Sequence, residues 1–198
     1  MFSSHKLPAT PASRLLSLLV LLVCSFLPAS ARPPQSALDL DGKSVDPVKS
    51  SQGKVTVLIF VRTDCPISNR YAPLLQRLSD SLSGKAKFWL VYPDKKTTPN
   101  EIAAHLRQFH SSISALRDPD HSLVKLASAT ITPEAAVFDT QGRLLYHGRI
   151  DNWYEDAGRS RPAATTHELQ NAVEAALSGK PATLASAPAV GCYISDLE

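Results

Sequence analysis

Cysteine is scarce in this sequence, with 3 in 198 residues, which excludes a miniprotein built on a disulfide framework. Charge of one sign is not in excess either: 21 basic and 18 acidic residues give a formal net of +3. That leaves no basic footprint for nucleic acid. No apolar run approaches the ~20 residues that a helical membrane span needs. The spacings HxxxH, HxH and CxxC, which mark metal sites, do not occur. Internal repeats and long linkers are missing too. What is there is a chain of one-domain length, 43% hydrophobic, with enough apolar material for a core and too much for wholesale disorder.

The first thirty residues have the order of a secretory signal. Lys6 and Arg14 precede Leu15 to Val23, an essentially apolar run of nine, and Pro28 then leads to Ala29-Ser30-Ala31. The expectation is a signal peptide over residues 1–31, cleavage after Ala31, and a periplasmic or extracellular protein with no stable membrane span. Cys24 follows Val23, where lipidation calls for a small residue. Removing Lys6 and Arg14 leaves 19 basic residues against 18 acidic, a net of +1. It also leaves Cys65 and Cys192 as the cysteine pair of a 167-residue mature chain. In an oxidising compartment such a pair is a candidate disulfide.

Residues 32–181 read as one domain, and 182–198 as an Ala/Ser/Pro-rich tail carrying Cys192. Leu38 to Lys43 predicts a short strand and a turn at Gly42. Lys54 to Val61 is nearly continuous, β-branched and apolar, the signature of a strand buried on both faces. Leu74, Leu75, Leu78 and Leu82 predict a helix over Tyr71 to Leu82, and Ala86 to Tyr92 a second buried strand. Thr98-Pro99-Asn100-Glu101 has the form of a capping box that starts a helix running to about Phe109. Ser122 to Ala129 predicts a short helix. Ala135 to Asp139 and Arg143 to Ile150 predict a hairpin, and Thr165-Thr166-His167-Glu168 opens a last helix by the same capping logic. This order gives an α/β fold with a central mixed β-sheet flanked by helices.

Arg62-Thr63-Asp64-Cys65-Pro66-Ile67-Ser68-Asn69-Arg70 follows the first buried strand and leads into a helix. Cys65 therefore stands at a helix N-terminus, where free backbone N–H groups and the helix dipole favour a thiolate. Arg62 and Arg70 would add to this effect and Asp64 would oppose it, while Ser68 is placed to donate a hydrogen bond to the sulfur. The alternative is an inert buried cysteine.

Strand, Cys65-Pro66-Ile67-Ser68 and helix, with Thr132-Pro133 ahead of a downstream strand and hairpin, resembles the thioredoxin-like superfamily. The resemblance is to its exported redoxin and TlpA-like branch, which overlaps the alkyl hydroperoxide reductase type of peroxiredoxin. It runs from about Ser36 to Gly179, and it implies a thioredoxin-like fold acting on protein thiols or disulfides, a small thiol or a peroxide, without a cofactor. It also implies a cis Pro133 beside the cysteine, with the Thr132 backbone pairing with a substrate chain. The chain departs from the family pattern in three places. Ser68 stands where the resolving cysteine of C-x-x-C belongs, Ile59 where thioredoxins carry a buried carboxylate, and Leu58 and Arg62 where peroxiredoxins carry Pro and Thr.

Exchange within one motif is thereby excluded, and Cys192, in Val190-Gly191-Cys192-Tyr193-Ile194, becomes the candidate remote resolving thiol. The alternatives are a purely structural Cys65–Cys192 bridge, a thiol peroxidase using Arg149, and a partner-binding module without turnover. A further one is a copper carrier like the related Sco proteins, with Cys65, Cys192 and His121 or His147 as ligands. The polar, aromatic segment from Arg149 to Arg161 is expected as an irregular loop that borders the site or binds an anion through Arg149, Arg159 and Arg161. His105 and His110 are expected at the surface.

Overall fold

The computed structural model describes residues 35–179 and 187–195. The expected signal segment, Cys24 and most of the Ala/Ser/Pro-rich stretch fall outside these residues.

The sheet is organised around β3 (Val55–Phe60), all six residues of which are buried. Two-sided burial is what its unbroken Val-Thr-Val-Leu-Ile-Phe run requires. β3 pairs in parallel with β4 (Ala86–Tyr92) and antiparallel with β7 (Glu134–Phe138). β7 in turn pairs antiparallel with β8 (Leu144–Gly148). On the other side β4 pairs in parallel with β5 (Ser114–Arg117), whose outer edge meets β1 (Ala37–Leu38), itself hairpinned to β2 (Ser44–Val45). The result is a seven-stranded mixed sheet in the order β2-β1-β5-β4-β3-β7-β8.

Alternate residues of β3 feed two cores. Val57 and Ile59 pack with Tyr71 and Leu75 of α2 (Pro66–Ser81), Ile102 of α3 (Pro99–Gln108) and Leu169 and Val173 of α5 (Glu168–Leu177). Leu58 and Phe60 pack with Leu123 and Val124 of α4 (Ser122–Ala127), Phe138 and Ile194. A small helix, α1 (Pro47–Ser50), is capped by the Asp46 carboxylate, which accepts from the Val48 and Lys49 N–H groups. Asp118 is buried, and its carboxylate accepts from the N–H groups of Leu123 and Val124 at the start of α4, each at 2.9 Å. β6 (Ile131–Thr132) lies outside the main sheet and pairs antiparallel with β11 (Cys192–Tyr193), so the C-terminal segment returns to the domain.

Several sequence-based expectations are corrected. β5 was not foreseen, because Ser114-Ala115-Leu116-Arg117 is short and ends in polar residues. α2 begins at Pro66 rather than near Tyr71, since proline suits the first helical turn. α4 stops at Ala127 because Ser128 turns left-handed at φ 55°. The box at Thr98 and Glu101 forms as expected, but α5 has no side-chain cap: Glu168 binds the Thr166 hydroxyl and Arg149 instead. His105 is buried, with Tyr92 Oη 2.9 Å from its Nδ1 and Asn69 Oδ1 2.8 Å from its Nε2. The segment 149–161 contains a hairpin, β9 (Tyr154–Asp156) with β10 (Arg159–Ser160).

Leu169 has no exposed surface and joins α5 to the sheet. Leu169→Ala is expected to lower the unfolding free energy by about 2–5 kcal/mol in denaturant titration. Leu177→Ala, at an exposed position of the same helix, should change it by less than about 0.5 kcal/mol.

Candidate functional site

Cys65 ends the loop after β3 and is the N-cap residue of α2, in an extended conformation. Its carbonyl accepts from the Asn69 N–H at 3.0 Å, while its side chain caps nothing and points into the domain with no exposed surface. The peptide between Thr132 and Pro133 is cis. It turns β6 so that the Thr132 carbonyl lies 3.2 Å from Cys65 Sγ. The returning C-terminal strand completes the site, with Cys192 Sγ 2.7 Å from Cys65 Sγ. Cys65, Ser68, Thr132, Pro133 and Cys192 are thus gathered from three separate stretches of chain.

The two sulfurs differ in acidity. Burial pushes the Cys65 pKa up, but hydrogen bonding by Cys192, by the Ser68 hydroxyl and backbone N–H, and by the Thr132 side chain outweighs it and holds the thiol below its ordinary value. The buried Ser68 hydroxyl has no other hydrogen-bond partner among the described residues, which leaves its hydrogen to the Cys65 sulfur. Cys192 moves the other way, pushed up to about 11 by burial and then by donating to Cys65 and facing its charge. Of the two, Cys65 is the sulfur that gives up its proton first and Cys192 the one that keeps it.

Neighbouring side chains fix this geometry. Glu134, next to the cis-proline, is buried and accepts from the N–H groups of Thr130 and Ile131 at 2.9 and 3.3 Å, holding β6 in place. Asn69 Nδ2 donates to the Thr63 carbonyl at 3.1 Å, so its Oδ1 accepts from His105 Nε2–H, and His105 Nδ1 accepts from the Tyr92 hydroxyl. This chain braces the Cys65 loop from beneath. Burial lowers the His105 pKa, which keeps the ring neutral. None of Glu134, Asn69, His105 or Tyr92 was picked out from the sequence. The visible signal was a lone carboxylate opening the apolar run Glu134-Ala135-Ala136-Val137-Phe138.

The expected arginines do different work. Arg62 pairs with Asp64 at 2.8 Å and donates to the Tyr193 carbonyl at 3.3 Å, so it ties the Cys65 loop to the C-terminal strand. Arg70 stacks over Trp153, 5.1 Å from the ring centre. Arg149 pairs with Glu168, and Arg159 and Arg161 both pair with Glu155, so the anion site expected in segment 149–161 is spent internally. The segment does border the cleft beside Pro133, where Tyr71, Arg149, Asp151 and Tyr154 face Val190. Within it the Tyr71 hydroxyl donates to Asp151 at 2.5 Å.

The copper reading requires a histidine at the two sulfurs. His121 Nε2 instead donates to the Pro93 carbonyl at 3.0 Å, and His147 Nδ1 lies 3.5 Å from Glu134. Among the described residues no group of three His, Cys, Asp or Glu side chains could hold a metal ion. No helix among them is long and apolar enough to cross a membrane.

Comparison with known proteins agrees with the architecture. The profile of the family described as thioredoxin-like matches residues 53–144. No curated protein matches the sequence. Among solved structures, a hypothetical protein from Sinorhizobium meliloti 1021 is similar at TM-score 0.66 and 21% identity, over 80% of this chain and 88% of that one. An uncharacterized conserved protein from Geobacillus kaustophilus has TM-score 0.66 and 23% identity over 82% of this chain and 88% of its own. A secreted Mycobacterium tuberculosis disulfide oxidoreductase homologous to E. coli DsbE has TM-score 0.53 and 21% identity, over 74% of this chain and 99% of that one. At these identities the likeness establishes the fold.

Titration of thiolate absorbance in the reduced protein is expected to show two steps, one below the ordinary thiol value and one near 11. The pair carries one negative charge between them, is fully protonated below the first step and doubly ionised above the second. Ser68→Ala should raise the first step by about one pKa unit, because it removes a donor to the anion and leaves the neutral thiol unaffected.

Proposed function

We propose that this chain is an exported thiol–disulfide oxidoreductase of the thioredoxin-like superfamily, with Cys65 as nucleophile and Cys192 as its remote resolving thiol. The single observation that carries this reading is the 2.7 Å contact between a sulfur that ionises more readily than an ordinary thiol and one that holds its proton more tightly. A structural bridge would not call for donors arranged to favour one thiolate.

The chemistry balances in two exchanges. The Cys65 thiolate attacks a disulfide R–S–S–R′, forming the mixed disulfide Cys65–S–S–R and expelling R′S⁻, which takes up a proton from solvent. Cys192 then loses its proton, and its sulfur attacks Cys65 Sγ and expels RS⁻. The substrate disulfide has gained two electrons, and the chain is left with a Cys65–Cys192 disulfide, which an external dithiol must reduce. Run in reverse, the oxidised chain oxidises a dithiol.

The remaining roles follow from placement. Pro133 shapes the wall beside the sulfur, and the Thr132 backbone is the edge that an extended substrate would pair with. Ser68 stabilises the nucleophile. The similarity in fold to a secreted disulfide oxidoreductase and the signal-like residues 1–31 support an exported location, with 32–181 as the catalytic domain and 182–198 as the tail bearing the second thiol. Arg149 is paired with Glu168, so no observation favours the peroxidase reading.

The test is turnover of a peptide disulfide by the reduced chain with a dithiol as electron source. Cys65→Ser should abolish it. Cys192→Ser should still form one mixed disulfide per chain, trapped on Cys65 and visible by mass spectrometry, and then stop. Equal turnover by wild type and Cys192→Ser would overturn Cys192 as the resolving thiol.

A further inference from the structure

Cys65 has no exposed surface, and the group that covers it is the chain's own C-terminal strand. Val190, Cys192 and Ile194 alternate inward. Val190 and Cys192 pack against one core, Ile194 enters the other at 5% exposure, and Tyr193 faces out at 78%. The backbone is stitched to β6 by the pairs Cys192 with Thr132 and Tyr193 with Ile131, and the Ile194 N–H donates to the Thr130 carbonyl at 3.0 Å. The Thr132 hydroxyl donates to the Cys192 carbonyl at 3.2 Å.

Two glycines permit this approach. A Cβ on Gly191 would lie 1.9 Å from the Thr132 carbonyl oxygen, and one on Gly148 would lie 2.6 Å from that of Ala187. The fit is close, yet the ladder is only two residue pairs long.

We infer that residues 190–194, with Ile194 in its recess, are the resting occupant of the β6 edge to which an extended cysteine-bearing substrate would pair, and hold that edge closed to a partner until the tail lifts away. This rests on the reading of Cys65 as nucleophile and adds how a partner reaches it. The edge of β6 used by β11 has one set of backbone groups, so a partner strand and β11 exclude each other. The partner gains the edge only when the tail lifts away.

Return of the tail then brings Cys192 to the mixed disulfide and evicts the partner strand from the same edge. Resolution and product release become one movement. A partner that presents its sulfur to Cys65 in the tail's register meets the same walls. It therefore carries a glycine before its cysteine and an aliphatic residue two positions after it, as in Gly191-Cys192-Tyr193-Ile194.

The experiment follows alkylation of Cys65 by iodoacetamide in full-length Cys192→Ser, with and without Gly191→Val, and with Ile194→Ser as a second way to unseat the strand. Far-UV circular dichroism checks that each is folded. A synthetic peptide, Ala-Val-Gly-Ser-Tyr-Ile-Ser-Asp, and its scramble are then added to the Gly191→Val protein.

The expected result is a rise of about tenfold or more in the rate with either unseating substitution, reversed by the peptide and not by its scramble. Rates unchanged by both substitutions, or a peptide that protects no better than its scramble, overturn the inference. Because the assay reads accessibility, these outcomes are independent of whether the wild-type chain turns over a disulfide, which is how failure of the oxidoreductase reading itself would show.

Discussion

The approach of two sulfurs 127 residues apart, 2.7 Å from Sγ to Sγ, is the contact on which the site depends. It does three things at once. It gives a Cys65 anion a donor in a place where burial alone would neutralise it, and it adds to the burial that pushes the Cys192 thiol up to about 11. It also places the second sulfur where a disulfide needs only a short further approach, to ~2.05 Å. An isolated buried cysteine would gain none of these, and the helix N-terminus alone would have to offset the full desolvation of the anion.

The scaffold makes this contact by stiffness on one side and a light attachment on the other. β3 is buried along its whole length and sets the position of the Cys65 loop, while Asn69, His105 and Tyr92 tie that loop from below. Glu134 holds the β6 segment through two backbone N–H groups. The tail is attached by a two-residue ladder, one buried isoleucine and close backbone contacts at glycine. A redox pair needs that inequality, since one sulfur must stay fixed while the other comes and goes between exchanges.

Much of the fold was legible because its signals are local. The apolar run of β3 and the box at Thr98 and Glu101 each carry their structure in consecutive residues. Thr132-Pro133 also pointed to the site, although its cis bond came from resemblance rather than from any local pattern. Non-local facts were not legible. His105 is itself a polar side chain, and only the packing of α3 against Tyr92 and Asn69 makes it interior. Segment 149–161 reads as a partner surface until its arginines are seen to be taken by Glu155 and Glu168. The segment around Cys192 was read only as a tail bearing a second thiol, and nothing in its sequence says that it forms a strand on β6.

The account's central claim is that Cys65 and Cys192 form an exchangeable pair rather than a permanent staple. The most direct measurement is equilibration of the full chain in glutathione buffers of graded potential, with the intrachain disulfide quantified by mass after acid trapping. Because a stabilised Cys65 thiolate favours the reduced form, the account predicts a reversible two-electron midpoint above about −300 mV. A midpoint well below that value, or a chain that forms no Cys65–Cys192 disulfide under oxidising conditions, would contradict it.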